Sequence, residues 1–111
     1  MALGGRGKRL KGKNAELEVV HLLRNHGFKS AERTAPMQAG GKGYGDVEGL
    51  PGFHVEVKRQ ERWRVRNWYE QAHEDAPPGA IPLVFMRESR QDWLVVIDAT
   101  DFLRVITGEK P

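Results

Sequence analysis

Residues 43–60 combine two carboxylates and a lysine at a spacing suited to cutting a phosphodiester bond. Their letters are GYGDVEGLPGFHVEVKRQ, which predict two short strands joined by a Pro-Gly turn. The turn would bring Asp46 close to Glu56 and Lys58. Because side chains alternate along a strand, Glu56 and Lys58 are expected on one face and Val55 and Val57 on the other. Two carboxylates can hold a divalent cation and a lysine can offset phosphate charge, so the pattern predicts a metal-dependent nuclease.

A helix predicted from Asn14 to His26 adds a third acid, because Glu16 lies in the middle of its apolar face. Glu18 falls on the opposite side. A buried carboxylate is costly unless it is paired, bound to a metal or facing a cleft. Glu16 is therefore a candidate member of the acidic cluster. The alternative is an exposed Glu in the first turn, stabilised by the helix dipole.

The remaining elements are predicted from their apolar periodicity and their turn residues. The predictions are a strand over 28–33, a glycine-rich loop over 34–45, a helix over 64–75, strands over 81–86 and 93–97, and a final helix starting near Asp98. The final helix is expected to pack its apolar residues onto the sheet, namely Phe102, Leu103, Val105 and Ile106. Together they indicate a flexible basic arm at 1–13, one α/β (α+β) domain at 14–107 and a frayed tail at 108–111.

Positive charge is concentrated in the first 66 residues, which hold 14 Lys and Arg against 7 Asp and Glu; the rest of the chain holds 4 against 8. Such an excess beside an acidic site favours a polyanionic partner, and the alternative is an ordinary asymmetric surface. The arm could grip a nucleic-acid backbone or only keep the chain in solution. The candidate DNA-binding residues are Lys8, Arg9, Lys11, Lys13, Arg33, Lys42, Arg59, Arg62, Arg64 and Arg66. Trp63 is a further candidate for contact with nucleic acid or with a partner subunit.

Several classes of site are excluded by what the sequence lacks. With no cysteine and no ligand spacing among its four histidines, any metal must be held mainly by oxygen. A phosphate-binding loop with its Lys followed by Ser or Thr is missing, so no nucleotide cofactor is expected. The sequence has no apolar run of the length that crosses a membrane, and a cytoplasmic protein is expected.

The order of these elements resembles the PD-(D/E)XK nuclease superfamily over most of residues 12–98. Within it the chain is most similar to the archaeal-type Holliday junction resolvases, including phage-encoded relatives. The segments that carry the resemblance are Lys13-Asn14-Ala15-Glu16, Gly45-Asp46-Val47, Val55-Glu56-Val57-Lys58 and Trp68-Tyr69-Glu70-Gln71-Ala72 with the basic residues before it. The Pro that precedes the first acid of the family's motif is replaced here by Gly45.

This resemblance implies a restriction-endonuclease-like core, with a central mixed sheet of about five strands flanked by helices. It also implies a Mg²⁺ site, which Mn²⁺ could fill as well. The ligands would be Asp46, Glu56 and the backbone carbonyl of Val57, with Glu16 completing the cluster through water. Lys58 would orient or deprotonate the attacking water. The side chain of Gln71 matches a glutamine that supports the site in many members.

The implied activity is a homodimeric endonuclease that places paired symmetric nicks in a four-way DNA junction. Two alternatives stay open at this stage: an endonuclease of the same fold with another DNA substrate, such as a nicking, flap or restriction-like enzyme, and a nucleic-acid-binding module without catalysis. His54 shares the predicted face of Glu56. It is interpreted either as a proton shuttle or, preferably, as a polar surface histidine.

Overall fold

Three helices and five strands are built by the residues that the computed structural model describes, 5–35 and 44–108, with side chains described from residue 11 onward. They are α1 (Gly5–Asn25), β1 (Glu32–Arg33), β2 (Val47–Glu48), β3 (Phe53–Arg59), α2 (Val65–Asp75), β4 (Ile81–Arg87), β5 (Leu94–Val96) and α3 (Ala99–Thr107). The strands form one sheet in the order β1-β2-β3-β4-β5. The predicted α+β class, with a mixed sheet of about five strands and flanking helices, is confirmed.

The sheet owes its mixed character to the lengths of its connections. A tight turn at Pro51-Gly52 joins β2 to β3, which pair antiparallel, and Gly52 takes the left-handed conformation with φ 86°. β3 and β4 run parallel, which requires a crossover, and α2 supplies it. β4 and β5 pair antiparallel as the predicted second hairpin. In the parallel register Glu56 lies beside Val84 and Lys58 beside Met86.

Both faces of the two central strands are covered. On one face α1 packs against β3 and β4, in a core that includes Val19, Val20 and Val55. On the other face Trp68 and Ala72 of α2 pack over the side chains of β4. A strand buried on both faces reads as a continuous apolar run, which explains the IPLVFM stretch of β4. The site described below therefore sits on a rigid part of the sheet.

The start of the first helix differs from the prediction. α1 begins at Gly5 and not at Asn14, so residues 5–13 are helical and do not form an irregular arm. Lys, Arg and Leu favour helix, and a helix already fixed by tertiary packing extends at little cost. Glu16 is consequently in the interior of α1, and the alternative of an exposed first-turn Glu is wrong. The rest of the predicted arm, residues 1–4, and most of the tail, residues 109–111, lie outside the described residues.

The predicted packing of the last helix onto the sheet is also wrong. The side chains of Phe102, Leu103, Val105 and Ile106 are exposed, and none of the nine residues of α3, all of them described, is buried. Because α1 and α2 already cover the central strands, those faces of the sheet are not open to α3. Its N-terminus is capped by Asp98, whose side chain accepts a hydrogen bond from the backbone N–H of Asp101 at 3.0 Å.

Two smaller differences concern the strand before the loop and the tryptophan after β3. β1 covers only Glu32–Arg33 of the predicted strand over 28–33. Trp63 is half-buried against the core under α2, and its indole N–H donates to the carbonyl of Gln60 at 3.0 Å. It is therefore used mainly in packing. None of the helices in residues 5–35 and 44–108 is long and apolar enough to cross a membrane.

Candidate active site

The backbone of the β2–β3 hairpin fixes the position of Asp46. Its N–H donates to the carbonyl of Val55 at 2.7 Å, and its Oδ2 accepts a hydrogen bond from the N–H of Val57 at 2.8 Å. The preceding residue, Gly45, lies so close to β3 that a Cβ there would overlap the carbonyl oxygen of Val55. The absence of a side chain at Gly45 therefore lets the first acid approach the second strand.

The carboxylate of Asp46 lies beside that of Glu56. The pKa of Asp46 is raised from 3.8 to about 7, first by burial and then by the charge of Glu56 and a hydrogen bond with it, while the N–H of Val57 opposes the rise. The charge of Glu16 contributes least. Two partly buried carboxylates at such short range repel each other. A cation bound between them would relieve the repulsion, and their oxygen donors fit a hard divalent ion such as Mg²⁺.

Glu56 has a second partner that the sequence interpretation did not assign. His54 is only 3% exposed, and its Nε2 lies 2.9 Å from Oε1 of Glu56. The preferred interpretation of His54 as a polar surface residue is wrong, because β4 pairs alongside it and places Pro82 next to it. The ring holds the Glu56 carboxylate in place from within the sheet. The signal that could have revealed this was the equal parity of the two residues on a strand buried on both faces.

Glu16 is held by an arginine and is not part of a compact acidic cluster. Nε of Arg33 donates to Oε1 of Glu16 at 2.9 Å, with both side chains partly buried. Within the part of the chain that the structure describes, no group of three or more His, Cys, Asp or Glu side chains is close enough to hold a metal ion. The structure thus brings Asp46 and Glu56 together, and it places Glu16 next to them as half of an ion pair. Arg33, predicted to bind DNA, is used in that pair.

A second ion pair network lies at the end of β3 that carries Lys58. Glu18 accepts from Arg59 at 2.7 Å and from Arg87 at 2.8 Å, so one carboxylate bridges two strands to α1. The predicted outward position of Glu18 is wrong. The Nε atoms of Arg59 and Arg87 are buried without a hydrogen-bond partner among the described residues. Arg59, another predicted DNA-binding residue, is therefore largely neutralised.

An open groove of about 580 Å³ lies between α1 and the end of β3 that carries Lys58. Its lining holds one acid, Glu61, against four basic residues, Lys11, Lys58, Arg59 and Arg62, and Val57 lies in its wall. Lys58 thus belongs both to the strand that carries Glu56 and to the groove. A concave surface of this charge suits a phosphate backbone.

The other predicted site residues are scattered. Gln71 is exposed, and its side-chain amide donates to Asp75 one turn further along α2 at 2.9 Å. Within residues 5–35 and 44–108 it makes no hydrogen bond to Asp46, Glu56 or Lys58 that would give it the predicted supporting role. Lys13, Arg64 and Arg66 are exposed on the surface. Lys42 and the side chains of Lys8 and Arg9 lie outside what the structure describes.

Comparison with known proteins agrees with this geometry. The model of a protein family described as "Phage putative PDDEXK endonuclease" matches residues 7–110, nearly the whole chain. The chain belongs to this phage PDDEXK endonuclease family. No curated protein and no solved structure matches it. Membership supports a nuclease that acts on DNA, and the resemblance to the PD-(D/E)XK superfamily is confirmed at that level.

Divalent metals are the general cofactors of PD-(D/E)XK nucleases, and the donors in this chain fit that use. Asp46 and Glu56, the two acids predicted from the sequence, are the carboxylates that the hairpin brings together, and the pKa of Asp46 is raised by burial and by its neighbour. Lys58, the predicted lysine of the site, follows Glu56 on β3 and lines the basic groove. The family description names no substrate structure.

Proposed function

We propose that this chain is a Mg²⁺-dependent endonuclease that resolves four-way DNA junctions, acting as a homodimer that makes paired symmetric nicks. One observation carries the nuclease part of the proposal. The carboxylate of Asp46, just before β2, is paired with that of Glu56 on β3, and Lys58, two residues further along β3, lines a basic groove. The junction part rests on the resemblance to archaeal-type Holliday junction resolvases.

The residues of the hairpin divide the work of phosphodiester hydrolysis. Asp46, Glu56 and the carbonyl of Val57 would hold Mg²⁺, or Mn²⁺ in its place. A bound divalent cation supplies positive charge at the scissile phosphate and makes water a better nucleophile. His54 keeps the Glu56 carboxylate in its binding orientation.

Lys58 and Glu16 complete the proposed site. Lys58 orients the attacking water and offsets the negative charge that develops on the phosphate during attack. Glu16 acts only at the periphery, through water, because its carboxylate is already paired with Arg33.

The deciding experiment offers the purified protein a four-way junction whose strands are labelled in turn. With Mg²⁺ we expect nicks at symmetric positions in two opposing strands, and no product when the cation is removed by chelation. Equal cleavage of plain duplex, or single unpaired nicks, would reject junction resolution and favour an endonuclease with another DNA substrate. A protein that binds DNA but yields no product with Mg²⁺ or Mn²⁺ would be a binding module, and the nuclease proposal would fail.

The groove gives a prediction about binding that is separate from cleavage. Replacing Lys11 and Arg62 together by Ala removes two cations from the groove wall but leaves the carboxylates intact. Because each lost phosphate contact releases about one counterion fewer, the slope of log affinity against log salt should fall by about 2, with weaker binding to every DNA sequence. Affinity is measured by fluorescence anisotropy in a salt series with Ca²⁺ in place of Mg²⁺.

The matched control is Lys29→Ala, which removes an exposed cation just beyond the opposite end of α1. Its salt slope should equal that of the unmodified protein. If the double variant and the control behave alike, DNA does not follow the groove.

A further inference from the structure

The last helix carries an apolar surface that nothing in the described chain covers. Phe102 is 49% exposed, Leu103 55% and Ile106 62%, and Val105 adjoins them. At 100° per residue these four fall within one side of α3. We call these four residues the α3 patch.

A helix of nine residues does not hold its shape in water by its own hydrogen bonds. α3 makes few contacts with the rest of the described chain, although its two ends are well formed: Asp98 caps the start, and Gly108 ends it with φ 76°. The sequence of α3 therefore indicates a helix whose apolar side is buried by another molecule.

The charges of α3 decide which class of molecule fits. The side opposite the patch carries Thr100, Asp101 and Arg104, and the two charged residues are 3.9 Å apart within the helix. The helix has no net charge and no lysine, so it lacks the cations by which amphipathic helices bind anionic lipid surfaces, and it does not suit DNA either. The class of partner that fits α3 is therefore a protein with an apolar surface of its own.

The area of the patch is suited to a symmetric contact. Four side chains, each about half exposed, leave on the order of 350 Å² of apolar surface per copy. A two-fold contact that also buries the polar rim around both copies then reaches the ~1,000 Å² at which specific interfaces begin. A two-fold contact requires a self-complementary surface. An apolar stripe beside an internally neutralised charge pair meets its own copy without electrostatic conflict.

We infer that the α3 patch is the surface through which two copies of this chain associate, with the α3 helices packed against each other across a two-fold axis. The choice of a second copy as the partner rests on the proposed function, since paired nicks need two sites. The exposure of the patch, its neutrality and its area do not depend on that function. The contact would use the acidic C-terminal part of the chain and leave the basic grooves free for DNA.

Sedimentation equilibrium of the full chain, without DNA or metal, tests the inference. The unmodified protein should have twice the mass of the 12.6 kDa chain. Ile106→Glu would bury an unpaired charge in the contact and should weaken association by at least about 100-fold. Thr100→Glu, which adds the same charge to the opposite side of α3, should remain dimeric. A monomeric unmodified protein, or an Ile106→Glu protein that stays dimeric, overturns the inference.

Chemical crosslinking gives a second readout that does not depend on destabilising the contact. The chain contains no cysteine, so Ile106→Cys and Thr100→Cys each introduce one reactive thiol. A short bismaleimide reagent should join two Ile106→Cys chains and leave Thr100→Cys chains largely unjoined. Equal crosslinking of the two variants would place the contact elsewhere.

These experiments can reject the dimer proposal and the nuclease proposal independently of each other. A Glu56→Gln protein should keep the dimer mass while losing cleavage. The Ile106→Glu protein should keep single-strand nicking and lose the pairing of nicks. A variant that loses both DNA cleavage and the dimer mass has a folding defect, which its far-UV circular dichroism spectrum would detect. The crosslinking of Ile106→Cys and Thr100→Cys would then decide whether α3 forms the contact.

Discussion

Replacing Glu56 by Gln is expected to slow Mg²⁺-dependent DNA cleavage by at least about 1,000-fold, because a ligand to the cation is lost. DNA affinity should change by less than about threefold, because the basic groove is left intact. Gln has the shape of Glu and can keep a hydrogen bond to His54, whose Nε2 lies 2.9 Å from the present carboxylate. The change thus removes one negative charge from the site with little disturbance of packing. Single-turnover cleavage of labelled junction DNA measures the rate, and anisotropy with Ca²⁺ measures the affinity.

Glu48→Gln is the matched control, because Glu48 is an exposed acid of the same hairpin, two residues from Asp46. Its cleavage rate should lie within about twofold of the unmodified protein, since it has no part in the site. Full activity of Glu56→Gln would remove Glu56 from the catalytic residues. A primary loss of DNA binding in that variant would assign Glu56 a structural role.

The sequence was most informative about features that depend on neighbouring residues. The alternation along β3 predicted that Glu56 and Lys58 share a face, and the Pro-Gly turn predicted the hairpin that brings Asp46 to Glu56. The structure confirms the hairpin, and it places Glu56 and Lys58 beside Val84 and Met86, two residues of one apolar cluster. Local periodicity decides these features, so they could be predicted without knowing the rest of the fold.

The partners of the charged residues could not be predicted in the same way. Arg33 pairs with Glu16 across 17 positions of the sequence, and Glu18 joins Arg59 across 41. Each of these cations was an equally reasonable DNA contact from its type alone. Only the packing of α1 across the sheet decides which arginines are neutralised, and periodicity along one helix contains no information about that packing.

The burial of His54 and the exposure of α3 also depend on packing between distant segments, so neither could be predicted from local periodicity. The burial of His54 follows from the parallel pairing of β3 with β4, a contact that depends on the crossover through α2. The exposure of α3 follows from the helices that already occupy both faces of the sheet. An amphipathic helix predicts that an apolar side is buried, but not whether the same chain or another molecule buries it.

The acidic pair has a cost for folding that follows from its chemistry. Asp46 is fixed by backbone hydrogen bonds on two sides, which places its carboxylate against that of Glu56. Such a preorganised site gains affinity for the cation and loses stability in its absence. The stability of the metal-free protein should therefore report on the site without any measurement of cleavage.

Replacing Asp46 by Asn is expected to stabilise the metal-free protein at pH 8, even though the same change should abolish cleavage. The pKa of Asp46 is raised from 3.8 to about 7 in the folded state, so the folded protein holds this proton more tightly than the unfolded chain does. The folded state thus loses stability as pH rises from about 4 to about 7, and the penalty is complete above that range. Asn carries no such charge and can still accept the hydrogen bond from the N–H of Val57.

Thermal unfolding in EDTA at pH 5 and pH 8 measures this difference. The stability advantage of Asp46→Asn should grow by about 2–3 kcal/mol between the two pH values, on the order of 10 °C in Tm. The control Glu48→Gln removes a nearby exposed acid and should show no such growth. Saturating Mg²⁺ at pH 8 should reverse the order, because the cation stabilises only the protein that retains both carboxylates. An advantage that is equal at both pH values would show that the Asp46 carboxylate is not destabilised by its burial and by Glu56.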